Sequence, residues 1–197
     1  RRSSDLARCF AELAPDEAIC PSCGHDDDHP GDRLAAALPA GAVLLGKYVI
    51  GRVLGKGGFG VTYLAFDLAA NCQVAIKEYL PDTLSHRNTG ETAVSAYAGE
   101  KEAAFRGGAE KFYDEARTLA RFSGHPNIIH VREFFYENNT AYFAMEYVSG
   151  CDLRQHVAAL GGRLSEVQCL AILEPLLNAL IVLHSVGVLH RDISPDN

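Results

Sequence analysis

The stretch "YVIGRVLGKGGFGVTYLAFD", Tyr48 to Asp67, leaves this chain little choice of fold. Two apolar runs rich in β-branched residues flank glycines at Gly55, Gly57 and Gly60, which predicts a hairpin of two strands closed by a glycine turn. Glycine lets a backbone approach a phosphate with no Cβ in the way and tolerates positive φ. The same GxGxxG spacing serves dinucleotide binding only where a helix follows it. Here Val61, Tyr63 and Leu64 continue as a strand, so that arrangement falls away and a plain flexible turn is the remaining alternative. A third short strand, "QVAIKEY", places Lys77 seventeen residues after Gly60. Its ammonium can reach a phosphate lying under the hairpin, and needs a carboxylate to hold it.

Beyond Lys77 the polar stretch from Pro81 to Gly108 has little periodicity. Phe112, Ala116 and Leu119 then fall at i, i+4 and i+7, the stripe of an amphipathic helix from about Glu110 to Phe122 that offers Glu110, Asp114 and Glu115 as partners for Lys77. "IIHVREFFYENNTAYFAMEYV" reads as strand, Glu-Asn-Asn-Thr turn, strand. A short helix is expected after Asp152, and a long one opens at Ser165, where a capping hydroxyl and Glu166 suit the helix dipole. The order predicts an α+β fold: about five strands with one helix inserted after the third, then helices.

Composition narrows the partners. With 197 residues, 48% of them hydrophobic, the chain can bury a core. A net charge of -7 and no run of Lys or Arg longer than two argue against nucleic acid or an anionic membrane surface. The apolar run from Val167 to Leu189 is broken by Glu174, Pro175, Asn178 and His184, so a buried helix is expected there and no membrane contact. Six cysteines with a single CxxC do not make a disulfide framework, which favours a reducing cytoplasm.

At the other end, "LHRDISPDN" supplies Asp192, a carboxylate able to orient and deprotonate a hydroxyl, and Asn197, a neutral oxygen ligand for a hard cation. Three spaced motifs in this order make Tyr48 to Asn197 resemble the first part of a eukaryotic-type protein kinase domain, with a bacterial flavour in "IKEYLP" and "FYDEARTLARF". The resemblance implies a truncated protein-kinase-like fold: a five-stranded antiparallel N-lobe of about 47–148 with its helix, and a partial C-lobe of about 149–197. It implies ATP and Mg²⁺ as cofactors and a protein as substrate. Leu54, Gly55, Gly57 and Gly60 would cover the ATP phosphates, with Phe59 at the tip. Val61 and Ala75 would form the upper wall of the adenine pocket, and Lys77 would pair with phosphates. Glu115 is the best match for the carboxylate that holds Lys77, by its spacing to the HPN turn at His125 to Asn127. Met145 would be the gatekeeper, Glu146 to Val148 the hinge, and Asp152 an acidic group near the ribose. Asp192 would act as base, and Asn197 would hold Mg²⁺.

Several features depart from the pattern. Ser194 stands where Ser/Thr kinases carry the Lys of HRDxKxxN, yet "ISPDN" lacks the tyrosine-kinase Ala-Arg signature, so Ser/Thr targets are favoured. The stretch between Lys77 and Glu115 is long, and a tolerated surface loop is its plain explanation. Both ends read as cut, and a DFG Asp and activation loop are expected outside these residues, so the 197-residue piece alone is expected to be inactive. Residues 1–25 resemble a degenerate zinc ribbon: Cys9, Cys20 and Cys23, with His25 or His29, are candidate Zn²⁺ ligands, against a short disordered tail with free thiols. Residues 26–46 read as a linker. Cys72, Cys151 and Cys169 are expected to be small core residues. Two other functions compete: a nucleotide-binding pseudokinase scaffold, and a zinc-ribbon adaptor module.

Overall fold

The computed structural model describes Cys9, Phe10, 36–190 and 193–196. Cys20, Cys23, His25 and His29 lie outside the described residues, and with them the zinc expectation; so do Asp192 and Asn197. Among the described residues no three His, Cys, Asp or Glu side chains gather as a metal site. The chain divides into two compact units: residues up to Arg121 with His130–Tyr147, and Phe122–Ile129 with Val148–Asn197.

The first unit is built on a six-stranded antiparallel sheet in the order β1-β2-β3-β4-β8-β7. Its strands are β1 (Val43–Leu44), β2 (Tyr48–Gly57), β3 (Gly60–Asp67), β4 (Cys72–Tyr79), β7 (Val131–Glu137) and β8 (Thr140–Glu146). The three tight turns of the sheet, the first and third of them predicted, form for local reasons. Gly57 and Gly60 pair across the first. In the second, the Asp67 carboxylate accepts from the backbone N–H of Ala69 and Ala70 at 2.9 and 3.0 Å, and Asn71 takes φ 53°. Asn138 and Asn139, at φ 50° and 61°, make the tight third turn that asparagine tolerates best among non-glycine residues.

The sheet curls until its far strands meet through side chains. Glu133 of β7 accepts from Lys47 at 2.6 Å and from the Tyr48 hydroxyl at 2.8 Å, and the backbone N–H of Leu45 reaches Glu137 at 2.9 Å. Inside the curl lie Tyr48, Ile50, Tyr63, Ile76, Phe135 and Tyr142, all buried. The sixth strand is the two-residue β1, which falls in the stretch read as linker. Leu38 and Leu44 there are buried in the same core.

The polar stretch after Lys77 is not a loose surface loop. It contains a hairpin, β5 (Ser85–His86) with β6 (Ser95–Ala96), and it drives Arg87 into the core. Arg87 forms a fully buried ion pair with Glu78, while its Nε donates to the Thr92 carbonyl at 2.9 Å and its Nη1 to the Ala36 carbonyl at 2.8 Å. The hydroxyls of Tyr63 and Tyr142 donate to the same carboxylate at 2.7 and 2.6 Å. Helix α1 (Glu100–Ala120) begins about ten residues before the predicted start, with Glu100 and Glu102 in its first turn where negative charge suits the dipole. Gly108 permits this: a Cβ there would stand 1.9 Å from the Tyr79 hydroxyl, and Phe105 packs on the same ring. Phe10 lies against Phe66, and the Cys9 carbonyl accepts from Gln73 at 3.0 Å.

In the second unit, α2 (Leu153–Ala159) is capped by Asp152, whose Oδ1 accepts from the N–H of Gln155 at 2.7 Å. Helix α3 (Glu166–Ser185) carries the predicted Ser165 cap, completed by Gln168 as a capping box. The expectation of a buried helix is not met. Only Ala179 and Leu183 are buried on α3, against Ile128, and Val167 is 77% exposed. By length and composition alone α3 could cross a membrane. Of the three cysteines expected in the core, Cys72 is half-buried and packs against it at a strand end, where Arg132 donates to its sulfur. Cys169 is half-buried and Cys151 is exposed, so the expectation fails for Cys151.

Candidate nucleotide site

Strands β2 and β3 carry the predicted glycines on one hairpin, and β4 lays Lys77 alongside β3. At Gly55, Gly57 and Gly58 nothing lies within 4 Å of where a Cβ would stand, so the backbone is open to a ligand. Gly60 is glycine for a different reason: its Cβ would stand 1.8 Å from the Glu78 carbonyl oxygen, and only a bare Cα lets β3 pass β4. The loop tip is tied down on that side. Leu80 donates to the Phe59 carbonyl at 3.0 Å, and Lys56 pairs with Asp82 at 2.6 Å. Leu54 lies at the register shift between Val53 and Gly55, half-buried.

Strand alternation sorts the remaining candidates by face. Lys77 pairs across to Thr62 and Phe143, and Ala75 to Leu64 and Met145, so Ala75, Lys77 and Met145 share a face. Val61 does not join them. It pairs with Glu78 on the opposite face and is buried in the core, so Thr62 is the β3 residue beside Lys77. The parity of the hairpin could have revealed this, since third glycine and wall residue must differ by two to put the side chain on the face of Lys77.

The expected pairing of Lys77 with Glu115 is not formed. Among the described residues Lys77 has no carboxylate within 4.0 Å, and Glu115 is exposed. The ammonium instead lies 5.6 Å from the Phe143 ring centre and 5.7 Å from that of Phe112, within cation–π range of both. Phe112 is one turn of α1 before Glu115, so α1 already presents its apolar stripe to Lys77 while its carboxylate faces away. Glu146 is fastened at the end of β8: its N–H donates to the His130 carbonyl at 2.9 Å, and its side chain accepts from the His130 N–H at 3.1 Å. In the second unit Val148 is exposed, and Asp152 caps α2 as described.

Sequence reasoning missed the buried Glu78–Arg87 pair, because Arg87 sits in a stretch with no periodicity. Burial works against the Arg87 charge, yet the hydrogen bond and charge of Glu78 outweigh it and hold the guanidinium above its ordinary range. Strand β4 therefore presents a cation on one face and a neutralised carboxylate on the other.

A family model described as "Protein kinase domain" matches residues 48–197. The chain belongs to this family. Among the relatives of this kinase domain is serine/threonine-protein kinase B of Synechocystis, 31% identical over 181 residues, which cover 91% of this chain and 29% of that protein. CBL-interacting protein kinase 14 of rice (Oryza sativa subsp. japonica) is 33% identical over 157 residues, covering 80% of this chain and 31% of that protein. Among solved structures, the apo form of PpkA-294 matches with a TM-score of 0.74 at 38% identity, covering 82% of this chain and 57% of that one. The M. tuberculosis PknI kinase domain matches with a TM-score of 0.60 at 29% identity, covering 82% and 56%. The chain thus spans less than a third of these curated relatives and somewhat over half of the solved kinase chains, in the protein kinase fold.

Proposed function

We propose that the protein containing this chain is an ATP-dependent protein kinase that phosphorylates Ser or Thr hydroxyls. The observation that carries this reading is the placement of Lys77 on the face of Ala75 and Met145, next to a glycine hairpin whose backbone is open. That cradle fits a nucleotide triphosphate. Its open glycines admit phosphate oxygens, and Lys77 neutralises charge on them. Bound ATP with Mg²⁺ supplies the transferable phosphoryl group and the metal's charge. Asp192 accepts the proton of the attacking hydroxyl, and Asn197 holds the metal, both by match to the family pattern. Glu115 has to exchange its exposed position for one beside Lys77, since transfer in this family needs that ion pair in place.

The full-length protein, incubated with Mg²⁺ and labelled ATP, is expected to phosphorylate itself or a general acceptor protein on Ser or Thr. Lys77→Met is expected to abolish the transfer with little loss of stability, because a half-buried Lys contributes little packing. Transfer undiminished in that variant would sink the assignment of Lys77. A second reading, a nucleotide-binding scaffold without transfer, is favoured by Ser194 and by the unmade Lys77–Glu115 pair. Saturable ATP binding without any phosphorylated product would decide for it.

A further inference from the structure

Ser194 replaces a cation of the family pattern, and the second unit holds a cation that answers it. Arg154, the second residue of α2, donates its backbone N–H to the Pro195 carbonyl at 2.9 Å. Its guanidinium forks onto Asp196: Nε donates to Oδ1, and Nη2 to Oδ2 at 2.8 Å. The Ser194 hydroxyl donates to the same Oδ2 at 3.3 Å, and the Asp196 N–H returns to Ser194 Oγ at 3.4 Å. Asp152 in turn caps the turn of α2 from which Arg154 projects.

A lone exposed ion pair contributes little, because water screens it and two long side chains lose their freedom. This contact differs in geometry. A two-pronged guanidinium–carboxylate contact fixes orientation as well as distance, and the backbone bond from the same residue adds a third tie to the loop. The short Ser194 hydroxyl completes the arrangement.

We propose that Arg154 is a positioning residue for phosphoryl transfer: by gripping Pro195 and Asp196 it fixes the segment that Asp192 precedes and Asn197 follows in sequence. The inference rests on the kinase reading, and adds to it a reason why Ser194 is compatible with catalysis. Rate falls steeply when a catalytic group is displaced by even an ångström. The contacts of Arg154 are with the loop, at Pro195 and Asp196, so on this proposal its loss acts on turnover and not on ATP binding.

The test is steady-state kinetics of the full-length protein with Mg²⁺, ATP and an acceptor protein. Arg154→Ala is expected to lower kcat on the order of tenfold with KM for ATP within about twofold, as expected of misplacement at the reacting centre. Arg154→Lys should recover only part, since an ammonium cannot fork. Asp196→Ala should match Arg154→Ala, and the double variant should be no worse than either single one, the mark of residues acting as a unit. Amide hydrogen exchange at positions 154 and 196 should quicken in Arg154→Ala. Wild-type kcat in Arg154→Ala, or additive losses in the double variant, would overturn the inference while leaving the kinase reading intact. If the wild-type protein transfers no phosphate, the kinase reading fails with it. Hydrogen exchange then judges the anchor alone: quickened exchange upholds the grip of Arg154, and unchanged exchange overturns it.

Discussion

Thr62 and Val61 are neighbours with opposite duties. Val61 is buried among core side chains across from Glu78, whereas Thr62 stands across from Lys77. Val61→Ala should therefore cost about 2 kcal/mol, two buried carbons at the usual hydrophobic increment, and leave KM for ATP unchanged. Thr62→Phe should raise KM for ATP severalfold with little effect on the urea midpoint. The reverse pattern in urea titrations and kinetics would return Val61 to the nucleotide wall. Arg87 carries a larger effect. Arg87→Met leaves Glu78 buried without its cation, and breaking a buried pair from one side costs about 3–5 kcal/mol. A urea midpoint equal to wild type would mean that the stretch after β4 is the plain loop that its sequence suggests. At this scale the glycines and Lys77 could be placed on their strands from spacing, whereas Ala75 and Met145 came only through the family resemblance. Val61 was misassigned because motif matching ignored strand parity, and Glu78–Arg87 was invisible because a buried pair far apart in sequence leaves no local pattern.

The sheet curl depends on Tyr48, which links β2 to β7 through Glu133. Burial, and then the hydrogen bond to Glu133, push the Tyr48 phenol up to about 12 from 10.0. A raised folded-state value means that its contribution to stability is complete below the unfolded value of 10.0, and is lost as pH rises through about 12. Burial raises Tyr63 and Tyr142 as well, so they add to the same alkaline limb. Thermal unfolding between pH 9 and 12 should show a falling midpoint, less steep in Tyr48→Phe, on the usual size of a single tyrosine's linkage. An identical slope in that variant would remove Tyr48 from the account. Strands β2, β3, β4, β7 and β8 were readable because each is an apolar run ended by a turn signal. The two-residue β1, β5 and β6 were not, since two residues carry no periodicity. The first half of α1 was hidden by Gly107 and Gly108, which weaken helix propensity, although Gly108 makes room for Tyr79.

At the scale of the molecule, each unit has its own core, and the two differ in how well they are covered. The first unit buries aromatic and branched residues on the inner face of its sheet. In the second, α3 leaves Val167, Leu170, Leu173, Leu177 and Ile181 exposed. A contiguous apolar surface of this kind favours association, at about 25 cal/mol for each Å² covered. The 197-residue polypeptide by itself should therefore bind an apolar dye and self-associate in light scattering. A dye-silent monomer would contradict the exposure of α3. The nucleotide site turns on Lys77, one of five lysines in the chain. An acyl-phosphate derivative of ATP acylates whichever amine lies beside its phosphates, so mass spectrometry of the labelled full-length protein tests the claim directly. Acylation is expected to concentrate on Lys77 and to be suppressed by excess ATP. Labelling spread evenly over Lys47, Lys56, Lys101 and Lys111, with Lys77 unmodified, would contradict it.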